Sequence, residues 1–238
     1  MSRRLAIADI HGSFKAMMQC FEASCFDYEN DTLICLGDTC DGYPETKECF
    51  DELLKVNNLI YVIGNHDEWL FNWMLYGDNP VVWLTQGGFS TVESYGSLYD
   101  APVEHAELLR KAYLYYELDN MLFVHGGIDV NQKDIRKQSK DTLLWDRKLI
   151  QTAMKKQLRN RDWNALDYDK IFIGHTTTRA FKFKKEPICE PIVACNVVNI
   201  DTGAGWGGRA TIMNIDTLQY WQSDFSRNLY GPNQGRKI

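Results

Sequence analysis

Five histidines occur in 238 residues. Four of them, His11, His66, His125 and His175, stand just past short apolar runs. His11 completes Asp9-Ile10-His11, and His66 lies in Gly64-Asn65-His66-Asp67. His125 opens a His-Gly-Gly motif, and His175 lies in Gly-His-Thr. Asp38 and Asp41 belong to GDTCDG, which follows the run LICL. A lone histidine is usually a satisfied polar residue, and His105, inside EHAELLRK, is read that way. Four histidines in matching positions, with Asp9, Asp38, Asp41 and Asn65 around them, read as one constellation. It is a nitrogen and oxygen donor set without thiolate, which suits Mn, Fe, Zn or Ni. Its size points to two ions. Two divalent ions roughly 3.5–4 Å apart need a bridging ligand, and a carboxylate has two oxygens with which to bridge. Such a pair lowers the pKa of a bound water to about 7, giving hydroxide at neutral pH, and neutralises charge on a phosphoryl group. Side chains alternate along an extended segment, so Asp9 and His11 share one side.

The elements that must position these residues are legible as a rhythm. LAIA, LICL, LIYVI, MLFV, IFI and VVNI each stop at a small polar motif: Asp9 to Gly12, Gly37 to Gly42, Gly64 to Asp67, His125 to Gly127, Gly174 to Thr176 and Asp201 to Gly203. Short apolar runs followed by glycine read as buried strands. Between the first three lie helical patterns. Ser13 is placed as an N-cap before the stripe Phe14, Met17, Met18 and Phe21. Pro44 is placed to open a helix whose inner face is Cys49, Phe50, Leu53 and Leu54. Alternating strand and helix gives a parallel start. Two hairpins follow: YLYYEL and MLFV around Asp119-Asn120, and ATIMNID with TLQYWQS. The predicted fold is α/β, with two packed mixed β-sheets flanked by helices in a single domain over residues 1–230. Residues 231–238 are expected to form a flexible tail. Ligands of open α/β sheets bind at the carboxyl ends of strands, where all six polar motifs fall. The Trp and Tyr residues of 69–99 are expected to pack between helices rather than to line a substrate rim.

Composition narrows the function classes. The chain is 45% hydrophobic with a formal net charge of -6, so no general basic field invites nucleic acid or an anionic membrane. Seven cysteines without a Cys-x-x-Cys pair read as reduced, mostly buried thiols and a cytoplasmic setting. No apolar run reaches transmembrane length, and Leu5 to Ala8 is too short for a signal-peptide core. Cys40 reads as small filler, since no phosphate-cradling loop of glycine and arginine follows it.

Taken in order, Asp-x-His, Gly-Asp-x-x-Asp, Gly-Asn-His-Asp and Gly-His-Thr resemble the calcineurin-like metallophosphoesterases of the phosphoprotein-phosphatase type. LLWDRKLI (143–150), IFIGHTTTRAFKF (171–183) and NIDTGAGWGG (199–208) are similar to segments of the small phage-lambda-type serine/threonine phosphatases. The resemblance covers residues 9 to about 215. It implies that Asp9 and His11 bind the first metal, that Asp38 bridges, and that Asn65, His125 and His175 bind the second. It further implies that His66 protonates the leaving oxygen, that Asp41 orients His66, and that Arg147 clamps the phosphate through its guanidinium fork. The implied activity is dinuclear hydrolysis of phosphomonoesters, such as phosphoserine and phosphothreonine, by metal-bound hydroxide. Mn is the expected metal in vitro.

Two departures bear on substrate. Gly42 and Ile63 stand where the family commonly has phosphate-binding arginines. Arg179 is a weaker candidate to compensate, and Gly42→Arg is expected to lower the Michaelis constant for monoesters modestly. Two alternatives follow. One is a symmetrical diadenosine tetraphosphatase or another nucleotide phosphohydrolase. The other is a non-catalytic, metal-free scaffold, a class that usually loses ligands which this chain retains.

Overall fold

All six apolar runs are strands in the computed structural model, which describes residues 2–159, 162–183, 186–231 and 233–236. The strands β1 (Arg4–Ile7), β2 (Thr32–Cys35) and β3 (Asn58–Tyr61) pair in parallel. They are joined by α1 (Phe14–Ala23) and α2 (Thr46–Leu53). Beyond β3 lie α3 (Asn65–Tyr76), the short α4 (Val81–Trp83), α5 (Phe89–Tyr95) and α6 (Val103–Lys111). The hairpin of β4 (Tyr115–Leu118) and β5 (Met121–Val124) turns through Asp119 and Asn120, both at positive φ (46° and 58°). This is the pair of left-handed residues that a tight two-residue hairpin turn demands. Then come α7 (Lys140–Trp145), α8 (Lys148–Leu158), β6 (Lys170–Ile173), and the small ribbon of β7 (Lys182–Phe183) and β8 (Glu186–Pro187). The rest is β9 (Ile192–Ala194), β10 (Val197–Asn199), β11 (Thr211–Asn214), β12 (Tyr220–Gln222) and α9 (Ser226–Tyr230).

Two five-stranded mixed sheets result, ordered β12-β11-β1-β2-β3 and β4-β5-β6-β10-β9. Period-two alternation assigns each strand residue to a layer. Ala6 and Ile34 of one sheet meet Phe123, Phe172 and Val198 of the other, with Phe123 and Phe172 stacked at 5.0 Å. Leu5, Ile7, Leu33 and Cys35 face the opposite way, onto Met17, Cys20 and Phe50 of α1 and α2. Leu122, Val124, Ile171 and Ile173 pack on Leu143, Leu149, Ile150 and Ala153 of α7 and α8. Both faces of both sheets are therefore covered, and the strand ends that carry polar motifs lie along one edge of the sandwich.

Three local expectations are corrected. Ser13 occupies the N-cap position of α1, as expected, but its side chain makes no cap bond; its hydroxyl donates instead to the Ile10 carbonyl, because the chain from Ile10 to Ser13 closes in a tight turn. Pro44 lies outside α2, which begins at Thr46. The segment after α9 is docked rather than detached: Gly235 N donates to the Gly42 carbonyl (3.2 Å), and Arg236 N donates to the Gly205 carbonyl (2.8 Å). Residues 232, 237 and 238 of the expected tail lie outside the described residues. Within 69–99, Trp73, Trp83 and Tyr95 are buried core, whereas Tyr76 and Phe89 are exposed. All seven cysteines are unpaired, four of them buried, and burial pushes the Cys40 thiol well above its usual range. No helix among the described residues is long and apolar enough to cross a membrane.

Candidate metal centre

The six polar motifs converge. Asp9 and His11 follow β1, Asp38 and Asp41 follow β2, Asn65 and His66 begin α3 after β3, and His125, His175 and Asp201 follow β5, β6 and β10. Asp9, His11, Asp38, Asp41 and His175 all sit at positive φ, between 51° and 72°. Left-handed backbone is uncommon outside glycine and clusters at functional sites. Here it bends the backbone sharply in the loops that follow the strands. Neighbouring glycines make room. A Cβ on Gly64 would lie 2.1 Å from Asp38 Oδ1, and one on Gly174 would lie 2.1 Å from Asp9 Oδ2.

Two groups of donors form around one carboxylate. Asp9, His11 and Asp38 are one, and Asp38, His125 and His175 are the other; within each, one atom per residue lies within 4.8 Å of the rest. His11 Nδ1 donates to the Cys40 carbonyl (2.9 Å), so Nε2 carries the lone pair. That Nε2 is 3.8 Å from Asp38 Oδ2 and 3.9 Å from Asp9 Oδ1. His125 Nδ1 donates to the Leu36 carbonyl (2.6 Å), leaving Nε2 beside Asp38 Oδ2 (3.3 Å) and Asn65 Oδ1 (3.1 Å). Backbone carbonyls thus fix both tautomers and aim the ring nitrogens inward. His175 Nε2 is buried with no hydrogen-bond partner among the described residues.

The electrostatics of this cluster are those of acids and bases held close without enough counter-charge. Burial and the neighbouring Asp201 carboxylate push Asp9 well above the usual carboxylate range. Burial likewise pushes Asp201 up to about 6. Burial alone would lower His125, but the Asp38 carboxylate raises it to about 10. Burial, with the charges of His125 and Arg147, lowers His175 to about 2. A neutral, orphaned imidazole nitrogen beside crowded carboxylates is costly unless something positive binds there. The residues fit divalent cations.

Beside the donors stands a separate hydrogen-bonded pair. His66 Nδ1 donates to Asp41 Oδ2 at 2.6 Å. Two residues the sequence reading did not assign complete the shell of Asp41: Trp83 Nε1 donates to Oδ2 (2.8 Å), and Thr91 Oγ1 donates to Oδ1 (2.7 Å). Their signal in the sequence was weak, because Trp83 and Thr91 lie some 40 to 50 residues from Asp41 and read as helix packing. Asp67 is also structural. It accepts from the backbone N–H groups of Asp38, Thr39 and Gly64 and from the Tyr61 hydroxyl, locking the β2 loop to α3. Trp83→Phe removes one donor from a buried charged group, a loss worth roughly 1.5–3 kcal/mol. Urea denaturation checks this; an unchanged midpoint would mean that Asp41 does not depend on the indole.

Around the donors, Arg147 Nη1 donates to the His175 carbonyl (2.9 Å) at the rim. Trp69 and Trp145 pack edge-on to each other, to His66 and to His175 respectively. Trp69 therefore borders the site, while Phe71, Trp73, Trp83 and Tyr95 pack in or against the core and Tyr76, Phe89 and Tyr99 are exposed. Arg179 lies under the loop of Gly203, where a Cβ would fall 2.4 Å from its Cδ. Gly42 has φ +120°, and a Cβ there would meet Arg236 Cγ at 3.1 Å and the His11 carbonyl at 3.4 Å. The expected benefit of Gly42→Arg is thus overturned. The position needs glycine's backbone and is already crowded, so the substitution is expected to destabilise the chain without improving affinity.

Residues 2–189 match the family model described as calcineurin-like phosphoesterase. A bis(5'-nucleosyl)-tetraphosphatase of the asymmetrical type from Anoxybacillus flavithermus is 30% identical, with 90% of each chain covered. Serine/threonine-protein phosphatase 1 of Salmonella typhimurium is 25% identical, covering 88% of this chain and 90% of its own. The solved metallophosphoesterase of Sphaerobacter thermophilus shares the fold, with a TM-score of 0.58 at 18% identity and 96% and 91% of the two chains covered.

Proposed function

The chain belongs to the calcineurin-like phosphoesterases, and from that premise we propose that it is a dinuclear, manganese-supported hydrolase of nucleoside polyphosphates, with dinucleoside tetraphosphates as substrate class. The observation that carries the dinuclear reading is the shared vertex: both donor groups include Asp38. In this reading Asp9 and His11 would hold one cation, Asn65, His125 and His175 would hold the other, and Asp38 would serve both. Bound divalent cations would supply an activated water at neutral pH and offset charge on the phosphoryl group.

The chain's own side chains do the rest. His66 keeps Nδ1 on Asp41 and holds a proton at Nε2 for the leaving oxygen. Trp83 and Thr91 fix Asp41, so the imidazole keeps its orientation without reorganising. Arg147 stands where a phosphate oxygen can replace the His175 carbonyl as its acceptor. A cleft of about 320 Å³, lined in part by Gly42, Pro44, Leu84 and Phe89, opens next to this constellation. The exposed Phe89 ring offers a face for a base, which favours a nucleotide over a short phosphopeptide. The likeness to asymmetrical tetraphosphatases supports the same choice. Phosphoserine and phosphothreonine form the second reading, supported by the likeness to the Salmonella phosphatase.

Chromatography of products after incubation with manganese and diadenosine tetraphosphate tests the proposal. ATP with AMP is the expected pair. Release of two ADP, or turnover of a phosphopeptide alone, would sink the asymmetrical reading. Metal uptake is also expected to displace protons, because the Asp38 carboxylate raises His125 to about 10 while nothing positive binds. Affinity for manganese therefore falls as pH drops. Calorimetric titration at pH 7.5 in two buffers of different ionisation enthalpy reads the number released, and identical heats would contradict this.

A further inference from the structure

Arg236 comes from the segment after α9, yet its guanidinium reaches the metal centre. Nη1 lies 3.4 Å from His11 Nε2, and Nη2 donates to Gln86 Oε1 at 3.3 Å. The guanidinium lies over the Trp206 ring, 4.5 Å from its centroid. The backbone is anchored on both sides of the groove, by Gly235 N to the Gly42 carbonyl and Arg236 N to the Gly205 carbonyl. Close approach is built in: a Cβ on Gly205 would lie 2.5 Å from the His11 ring, and one on Gly235 would lie 2.8 Å from the Tyr43 ring. Arg236 Nε is nevertheless buried with no partner among the described residues, and no carboxylate there forms an ion pair with this arginine.

A held but unpaired guanidinium beside cation ligands is an incomplete arrangement. His11 Nε2 is the atom of the centre within 3.4 Å of Nη1, and a cation on His11 would take that lone pair. Two positive charges would then face each other across a few ångströms. An anion between them resolves the conflict, and a phosphate oxygen matches the guanidinium fork. Gly42 leaves the space that the arginine side chain occupies.

We propose that Arg236 is a substrate-binding residue that grips a phosphate group of the substrate from the His11 side, opposite Arg147. This rests on the reading of the centre as a metal-dependent phosphohydrolase site. It accounts for the loss of an arginine at Gly42: the positive charge is supplied from a distant part of the chain into the same volume. Because the anchoring segment also walls the cleft beside Gly42, the contact falls on a phosphate whose attached group lies in that cleft.

Orthophosphate binding to the manganese-loaded full chain tests the proposal without requiring turnover. Calorimetry compares wild type with Arg236→Ala and Arg236→Lys, with manganese content measured on each sample. Removal of the guanidinium is expected to weaken orthophosphate binding about ten- to hundredfold. Lysine, which keeps charge but not the fork, is expected to fall between the two. Manganese content and melting temperature are expected to stay near wild type. Unchanged orthophosphate affinity in Arg236→Ala would overturn the proposal, as would tighter binding, which would make the arginine a plug. If wild type binds orthophosphate in this pattern but hydrolyses no nucleotide, the substrate reading fails and Arg236 stands.

Discussion

Asp38→Asn is expected to strip both cations from the protein and abolish hydrolysis. The substitution is nearly isosteric, and Asn can still accept the His66 backbone N–H that Asp38 Oδ1 receives at 2.9 Å. The fold should therefore persist. What disappears is the negative charge beside His125, His66 and His11, whose imidazoles hold the Asp38 carboxyl well below its usual range although burial would raise it. An amide offers one weak oxygen where two cations need a bridge. Losing even an outer partner of a ligand costs about 10–100-fold in metal affinity, so loss of the shared ligand should exceed ~10²-fold at both sites. Elemental analysis after desalting reads the metal, and circular dichroism reads the fold. A folded variant that retains two equivalents of manganese would refute the bridging role.

The strand–motif rhythm was legible because both of its causes are local. Four apolar residues in a row must be buried, and a glycine or aspartate after them must turn. From β1 to β10, every run the sequence marks as a strand is one, and the proposed metal donors all follow the carboxyl ends of these strands. Asp41 shows where local reading stops. Its spacing from Asp38 was visible, but Trp83 and Thr91, which hold it, are brought back by the packing of α4 and α5. Asp201 was visible only as the end of a strand; its influence on Asp9 depends on β10 lying beside β6 and on the second sheet packing against the first. Arg236 was the least legible. GPNQGRKI has no periodicity and reads as fraying, because the bonds that hold it belong to Gly42 and Gly205, far away in sequence. Gly42 looked like a lost residue for the same reason. Sequence shows the missing side chain but not what fills its place.

His66→Asn is expected to slow turnover by about 10²–10⁴-fold, the usual contribution of a positioned general acid, while leaving metal content near wild type. The geometry separates His66 from the donor groups. Its ring meets Asp41 through Nδ1 at 2.6 Å, while the paired donor groups consist of Asp9, His11, Asp38, His125 and His175. Its backbone N–H to Asp38 survives any side-chain change. Asp41 keeps Trp83 and Thr91 as donors, so its charge is not orphaned. The diagnostic is the leaving group. AMP or ATP departing from a polyphosphate is a better leaving group than an alkoxide, and p-nitrophenolate needs little protonation. The loss should therefore be largest for an alkyl phosphate and smallest for p-nitrophenyl phosphate. Asp41→Asn should show the same ordering with a smaller amplitude, since the imidazole would lose the carboxylate that orients it but would itself remain in place. Steady-state constants for three esters of graded leaving-group pKa decide the matter. An equal loss across the series would make His66 a structural residue, and a loss of manganese would make it a ligand.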